Sequence, residues 1–273
     1  MRKFLREIKY YLWVLNGFIG LRSHTRASQK ATILITYFNL ARMKHINYQL
    51  RNIFKCDFVG QIIISNHNPE IDINSLITIK DSRIQVVNQE VRRGCGHRWL
   101  VANTFSPDYL IVVDDDILLF PWQLKQLFEA LLADPEIPHG FAGMLQHADG
   151  FLEYRQEEEQ ALDYLCEIYA LTGTHLQQFM EMRAEIIKDE ALSRMVESAA
   201  DFMVVSRSGS REPRIHDAGR LFRCPTYNET GVAVHKSQDF DSSMLEVARA
   251  LDRIAARHHE TDAVRMEVAD DLK

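Results

Sequence analysis

Three consecutive aspartates stand between two apolar runs in YLIVVDDDILLF, Tyr109 to Phe120, and no other stretch narrows the choice of fold so far. Adjacent carboxylates repel one another, and burying one without a counter-charge costs several kcal/mol. The flanking residues nevertheless read as buried strand. A strand that delivers charge at its carboxyl end belongs to an open α/β sheet, whose ligands bind along that edge. Two readings of the triplet follow. As a solvated turn it would sit in water, but the lack of Gly or Ser around it speaks against this. As a cation site it would present hard oxygens to Mg2+ or Mn2+, which take carboxylates together with substrate phosphates. The phosphate loop G-x-x-x-x-G-K-[ST] is absent.

The surrounding pattern agrees with such a sheet. Strands are expected at Ala31 to Tyr37, Gly60 to Ser65, Ile84 to Asn88, Tyr109 to Val113 and Gly140 to Leu145, with helices over Asn39 to Phe54, Gly96 to Thr104 and Pro121 to Leu132. This predicts α/β architecture, a mixed, mostly parallel sheet flanked by helices. From Tyr154 to about Glu197 the pattern reads as helical and charge-rich. Met203 to Ser206 reads as a short strand, Arg211 to His235 as loop and Ser242 to His258 as a final helix. The organisation expected is a basic and apolar segment (1–28), an α/β half (29–145), a second half with a helical insertion (146–240) and a terminal helix with tail (241–273).

Lys and Arg number 32 against 38 Asp and Glu, a net charge of −6, which disfavours nucleic acid as a partner. The four cysteines are far apart and form no C-x-x-C pair, so neither a zinc site nor a disulfide framework is implied. The first nine residues carry Arg2, Lys3, Arg6 and Lys9, and Tyr10 to Leu21 is mostly apolar. That run is shorter than the ~20 residues of a spanning helix. It fits either an interfacial helix, with Tyr10, Trp13, Phe18 and Ile19 in the lipid boundary and peripheral membrane contact through residues 1–21, or a first helix packed on the domain.

Residues Ala31 to about Met144 resemble the nucleotide-sugar-binding half of GT-A-fold glycosyltransferases, which implies that 29–145 is that half and 146–240 an acceptor-binding half with a helical acceptor-side region. Within that fold they are similar to the exostosin-type family, whose strand, acidic triplet, hydrophobic helix and G-F-x-G run read here as Ile111-Val112-Val113-Asp114-Asp115-Asp116 and Gly140-Phe141-Ala142-Gly143. The resemblance implies a hexosyltransferase-type enzyme of polysaccharide assembly. It would be metal-dependent, with Mn2+ or Mg2+, and would move a sugar from a nucleoside-diphosphate donor such as a UDP-sugar to a glycan or lipid-linked acceptor. The absence of a secretory anchor fits a cytoplasmic enzyme, or one peripheral at the inner membrane face.

Carried over by position, the resemblance puts Thr36, Tyr37, Asn39 and Arg42 at the nucleoside and Asn66 and Asn68 at the base. Asn88, Arg92, Arg93 and Arg98 go to phosphates or ribose. Arg suits phosphate through its bidentate fork, and the Gly94-Cys95-Gly96 turn would let the backbone approach before a helix N-terminus. Asp114 would meet ribose or sugar with Asp115 beside it, and Asp116 would ligate the metal. His235, after the apolar run Gly231 to Val234, would complete the metal site, with Lys236 on the diphosphate. Asp201, with Glu197 one turn earlier, would act on the acceptor hydroxyl, and His216 and Asp217 would wall the acceptor. Each has a structural alternative: turn chemistry for the asparagines, a solvated basic turn for the arginines, an exposed helical acid for Asp201. The rival functions are a nucleotidyltransferase, whose Gly-rich loop after the first strand is lacking in TYFNLAR, and a non-catalytic nucleotide-sugar binder or scaffold.

Overall fold

β-Branched side chains pack well on a pleated surface covered on both faces, and Ala31–Tyr37 forms β1 at the centre of the sheet. The computed structural model describes residues 2–224, Tyr227 and 242–254. β2 (Val59–Asn66) and β4 (Tyr109–Asp114) pair in parallel with β1 on either side, and β3 (Ile84–Asn88) extends the sheet beyond β2. The helices between them are α2 (Leu40–Met43), α3 (Ile46–Ile53) and α4 (His97–Thr104). The helix expected over Asn39 to Phe54 is therefore two, parted by a turn at Lys44 and His45. After the short β5 (Ile117–Leu118), α5 (Pro121–Ala133) begins with Pro in its first turn, where no hydrogen-bond donor is required.

The second half departs from expectation. Gly140 to Leu145 is split into β6 (His139–Gly140) and β7 (Ala142–Gln146). Residues read as helix from Tyr154 onward lie instead in β8 (Leu152–Gln156), β9 (Gln160–Ala161), β10 (Tyr164–Leu165) and β11 (Ile168–Thr172). The reason is local. Glu157 and Glu167 adopt φ of 62° and 67°, a left-handed conformation that interrupts any helix, and Ile168 to Leu171 is buried on both faces as an antiparallel neighbour of β4. Helix begins only at α6 (Gly173–Ile186), capped by Thr172, and resumes in α7 (Glu190–Met195) and a π-helical turn (Val196–Ala200). The strand expected at Met203 to Ser206 belongs to α8 (Asp201–Ser206): its apolar run is buried all round, a pattern that a short helix shares with a strand. Within the expected loop lie β12 (Arg214–Ile215) and β13 (Phe222–Arg223), and α9 covers 242–254.

The eight-stranded sheet has the order β3-β2-β1-β4-β11-β6-β12-β9 and runs across the boundary expected near residue 146. One core lies between this sheet and α3 and α5, with Tyr37, Phe58 and Phe128 among its largest members. The other lies under α4, α6, α8 and α9, around Trp99, Tyr169 and Phe179. The amino-terminal helix α1 (Arg2–Ile19) packs on α3 through Trp13, whose Nε1 donates to the Leu119 carbonyl at 2.9 Å.

Candidate functional site

β4 ends at Asp114, and β1 ends beside it at Tyr37, with Thr36 in register with Asp114. The parallel arrangement thus brings the β1–α2 loop against the triplet. The triplet is not a solvated turn: Asp115 is 4 % exposed and Asp116 6 %. Asn39 caps α2 by accepting from the Ala41 N–H at 2.8 Å, and this first turn carries Arg42 toward β4. Arg42 donates to Asp115 Oδ1 at 2.7 Å and to Asp116 Oδ2 at 2.9 Å. Gln49, which accepts from the buried Tyr37 hydroxyl, donates to the Ile117 carbonyl at 3.1 Å and ties α3 to the chain just past the triplet.

Asp114 is held from the other side. Arg98, in the first turn of α4, donates to Asp114 Oδ1 at 2.5 Å and, through Nε and Nη2, to Asp201 Oδ2 at 2.8 Å. Trp99 Nε1 donates to the same Asp201 oxygen at 2.7 Å. The guanidinium also lies about 5 Å from the Trp99 and Tyr169 ring centres, at 5.2 and 5.1 Å. Behind the triplet, the Asp114 N–H donates to the Glu167 carbonyl at 2.9 Å, and the Glu167 carboxylate pairs with Arg223 at 2.5 Å.

Among the described residues this edge gathers Asp114, Asp115, Asp116, Glu167 and Asp201 around Arg42, Arg98 and Arg223, two carboxylates more than guanidiniums. Burial and this surplus both weaken Asp115 and Asp116 as acids. Burial lifts the Asp115 carboxyl to about 6 against the pull of Arg42. Burial, and then the charge of Asp115, hold Asp116 well above the ordinary carboxylate range even though Arg42 is bonded to it. For both groups lost hydration outweighs the ion pair. Three buried atoms nearby have no hydrogen-bond partner: Thr36 Oγ1, Arg42 Nε and Asp201 Oδ1.

Other residues singled out from sequence are placed differently. Asn66 donates to the Ile71 carbonyl and to Asn88 Oδ1, and Asn68 donates to the Phe38 carbonyl, so all three asparagines serve the turn after β2. Arg92 pairs with Glu70 at 2.7 Å on the surface, and Arg93 is exposed in the same loop. The Gly94-Cys95-Gly96 turn approaches protein rather than phosphate. A Cβ on Gly94 would fall 2.0 Å from the Glu197 carbonyl oxygen, and one on Gly96 would fall 2.4 Å from that of Val196. The Gly96 N–H donates to Glu197 O at 3.0 Å, so the N-terminus of α4 is already satisfied by the π-helical turn.

Asp201 is 1 % exposed and anchors Arg98, a buried acid where an accessible one was expected. Glu197 pairs with Arg183 beside the start of α4. His216 stacks on His139, with a 2.8 Å bond between the rings, and binds Glu159 at 3.0 Å. The Asp217 N–H and carbonyl hold the same loop, donating to Glu159 and accepting from Gln126. His235 and Lys236 lie outside the described residues.

The sequence reading missed Gln49, Tyr169, Glu167 and Arg223. Glu167 and Arg223 are 56 positions apart, and no spacing links them. The one available signal was a lone Glu before the apolar run from Ile168 to Leu171. Phe38, exposed at the end of β1 beside Arg92, was also passed over. Two surface depressions of about 490 and 530 Å3 lie elsewhere, the first lined by His24, Arg26 and Lys125 and the second by Asn74, Lys80 and Val86.

No family model matches the sequence, and no curated protein does. Among solved structures the chain is similar to GalNAc-T7, determined with UDP, GalNAc and Mn2+: TM-score 0.54, 8 % identity, 73 % of this chain and 44 % of that one. It thus spans less than half the length of that neighbour. A CMP:2-keto-3-deoxy-manno-octonic acid synthetase determined with CTP aligns over 71 % of this chain and 91 % of that one, at 11 % identity and TM-score 0.46. The fold is GT-A-like, a mostly parallel central sheet flanked by helices. The likeness extends to that fold and not to the exostosin-type family.

Proposed function

We propose that this protein is a metal-dependent glycosyltransferase that takes a sugar from a nucleoside-diphosphate donor, a UDP-sugar by resemblance, and passes it to a glycan or lipid-linked acceptor. One observation carries the reading: a surplus of buried carboxylate at the carboxyl edge of β4, where the fold leaves its ligand edge open. Among the described residues no three His, Cys, Asp or Glu side chains form a metal shell by themselves. Mg2+ and Mn2+ bound beside a diphosphate need only one or two protein carboxylates, because phosphate oxygens and water fill the other positions. Asp116 and the second oxygen of Asp114 fit that requirement, and His235 joins them on the sequence pattern alone. The ion would supply charge neutralisation at the departing diphosphate.

The rest is work for the chain's own residues. Arg98, fixed by Asp201 and Trp99, prevents Asp114 from turning away from the ligand edge. Arg42 keeps Asp115 and Asp116 from repelling one another apart while the loop after β1 is held by Asn39 and Gln49. Phe38 offers an exposed ring at that edge, on which a base could stack. Such fixed charges require no reorganisation at the moment of reaction.

The test is a panel of nucleotide-sugars with Mn2+ or Mg2+, scored for release of nucleoside diphosphate and for metal-dependent thermal stabilisation. The expected result is stabilisation by one donor class. Asp116→Asn should lose turnover by about 100-fold or more, the scale of a removed electrostatic contact, while the metal-free protein melts no lower than wild type. Release of pyrophosphate from a nucleoside triphosphate would favour the nucleotidyltransferase, and no stabilisation by any donor with either metal would overturn the transferase.

A further inference from the structure

α1 is amphipathic in an unusual sense, because both of its faces are apolar and only one is covered. The inner face is fastened to the domain. Besides Trp13, the Tyr10 hydroxyl meets His45 Nδ1 at 2.9 Å and Asn16 donates to Asn52 Oδ1 at 2.7 Å. Gly17 lets the helix close on α3, where a Cβ would stand 3.0 Å from Arg51 Cβ. The outer face carries Leu5, Ile8, Leu12, Leu15 and Ile19 at alternating spacings of three and four, one continuous stripe, and all five are exposed. Leu12 is 56 % and Ile19 75 % exposed, and Tyr11, Phe18 and Leu21 flank the stripe, likewise exposed. A soluble domain rarely leaves so contiguous an apolar surface in water.

Charge identifies the occupant. The chain as a whole carries −6, yet its first thirty residues hold Arg2, Lys3, Arg6, Lys9, Arg22, Arg26 and Lys30 against the single acid Glu7. The excess cation is thus concentrated on and beside the uncovered helix, and the remainder of the chain is correspondingly more acidic. Among the described residues no helix is long and apolar enough to cross a membrane. A helix of 18 residues, about 27 Å long, that presents a leucine-rich face within so cation-rich a stretch of sequence suits the headgroup boundary of a bilayer.

We propose that α1 is a peripheral membrane anchor that lies in the surface of an anionic bilayer through Leu5, Ile8, Leu12, Leu15 and Ile19 while Trp13 holds it to the domain. The inference is independent of the donor chemistry. It corrects the sequence reading, since Tyr10 and Trp13 face the domain and the Phe18 ring packs against Arg51 and Tyr48 of α3, while Ile19 belongs to the exposed stripe.

The full chain should co-sediment with vesicles of phosphatidylcholine containing about a third phosphatidylglycerol and remain free of phosphatidylcholine alone. Binding should fall steeply by about 0.5 M NaCl. The double variant Leu12→Glu/Leu15→Glu should bind about tenfold more weakly or worse at an unchanged melting temperature, because neither side chain touches the core. Lys3→Glu/Arg6→Glu should lose the preference for anionic lipid. Failure of the wild-type chain to sediment with anionic vesicles would overturn the anchor. So would a chain that is dimeric in solution and becomes monomeric, with vesicle binding unchanged, in Leu12→Glu/Leu15→Glu, which would assign the stripe to a second copy.

Discussion

Arg98 and Arg42 each bridge two aspartates at one edge of one sheet, but their surroundings differ. Arg98 lies between two aromatic rings, and its deeper partner, Asp201, is sealed by Trp99. Arg42 serves two acids adjacent in sequence, one of which is held well above its usual range by burial and then by the charge of its neighbour, and its own Nε lacks a partner. Both clamps set one guanidinium against two carboxylates. In the first, the Trp99 donor and the two rings fix Arg98 and Asp201, so it acts as a pillar. In the second, Asp116 stays well above the ordinary carboxylate range despite Arg42, so its charge balance can be changed by a ligand. A site that must hold a carboxylate still and also accept a cation needs one of each.

Three measurements test that distinction. The largest effect is expected from Arg98→Met, which leaves Asp114 and Asp201 facing each other without a counter-charge. Breaking a buried pair in this way costs about 3–5 kcal/mol, and a loss of that size lowers the melting temperature of a domain this long by roughly 10 °C. A drop of only a degree or two would erase the contrast with Arg42.

Arg42→Met should cost less, about 1–3 kcal/mol, because Asp116 can take up a proton instead of remaining as a bare buried charge. Its signature is a larger stabilisation by Mn2+ than wild type shows, since the ion then supplies all the compensation. Equal metal responses in the two proteins would mean that Arg42 and the cation do not share a site.

The smallest effect concerns pH. The folded Asp115 carboxyl titrates near 6, above the ~3.9 of an unfolded chain. Its contribution to stability is therefore complete below about pH 4 and is lost as pH rises through about 6; Asp116 extends the loss further upward. The difference in stability between wild type and Asp115→Asn, followed by thermal unfolding from pH 4 to 7, should shift against wild type by on the order of 1–2 kcal/mol. Saturating Mn2+ should flatten the slope. A difference that does not vary with pH would show that Arg42 compensates Asp115 fully.

The first half of the chain was legible because each of its longer strands is an apolar run with its own turn signals and at least one parallel neighbour. Ile84 to Asn88 is the strand that was expected, residue for residue, and β4 differs by one residue. The second half was not. Its strands are two to five residues long and partly charged, and the run from Ile168 to Leu171 earns its burial only by lying against β4. Candidate core positions such as Leu165, Ile168, Leu176 and Phe179 are buried as expected, although the first two lie in strands rather than helices. Hydrophobicity predicted depth there and misjudged conformation.

The same division applies to the site. That an acidic triplet ends a buried strand of an α/β sheet follows from local pattern, because a carboxylate run flanked by apolar residues has few other places to go. Which side chains answer it does not follow. Arg98 and Asp201 are 103 positions apart, and Arg42 and Asp115 are 73. Those pairings exist because parallel strands bring successive loops to one edge and because α4 docks on the turn before α8. Electrostatic partnership inside a protein depends on distance and lost hydration, and only the assembled sheet sets both.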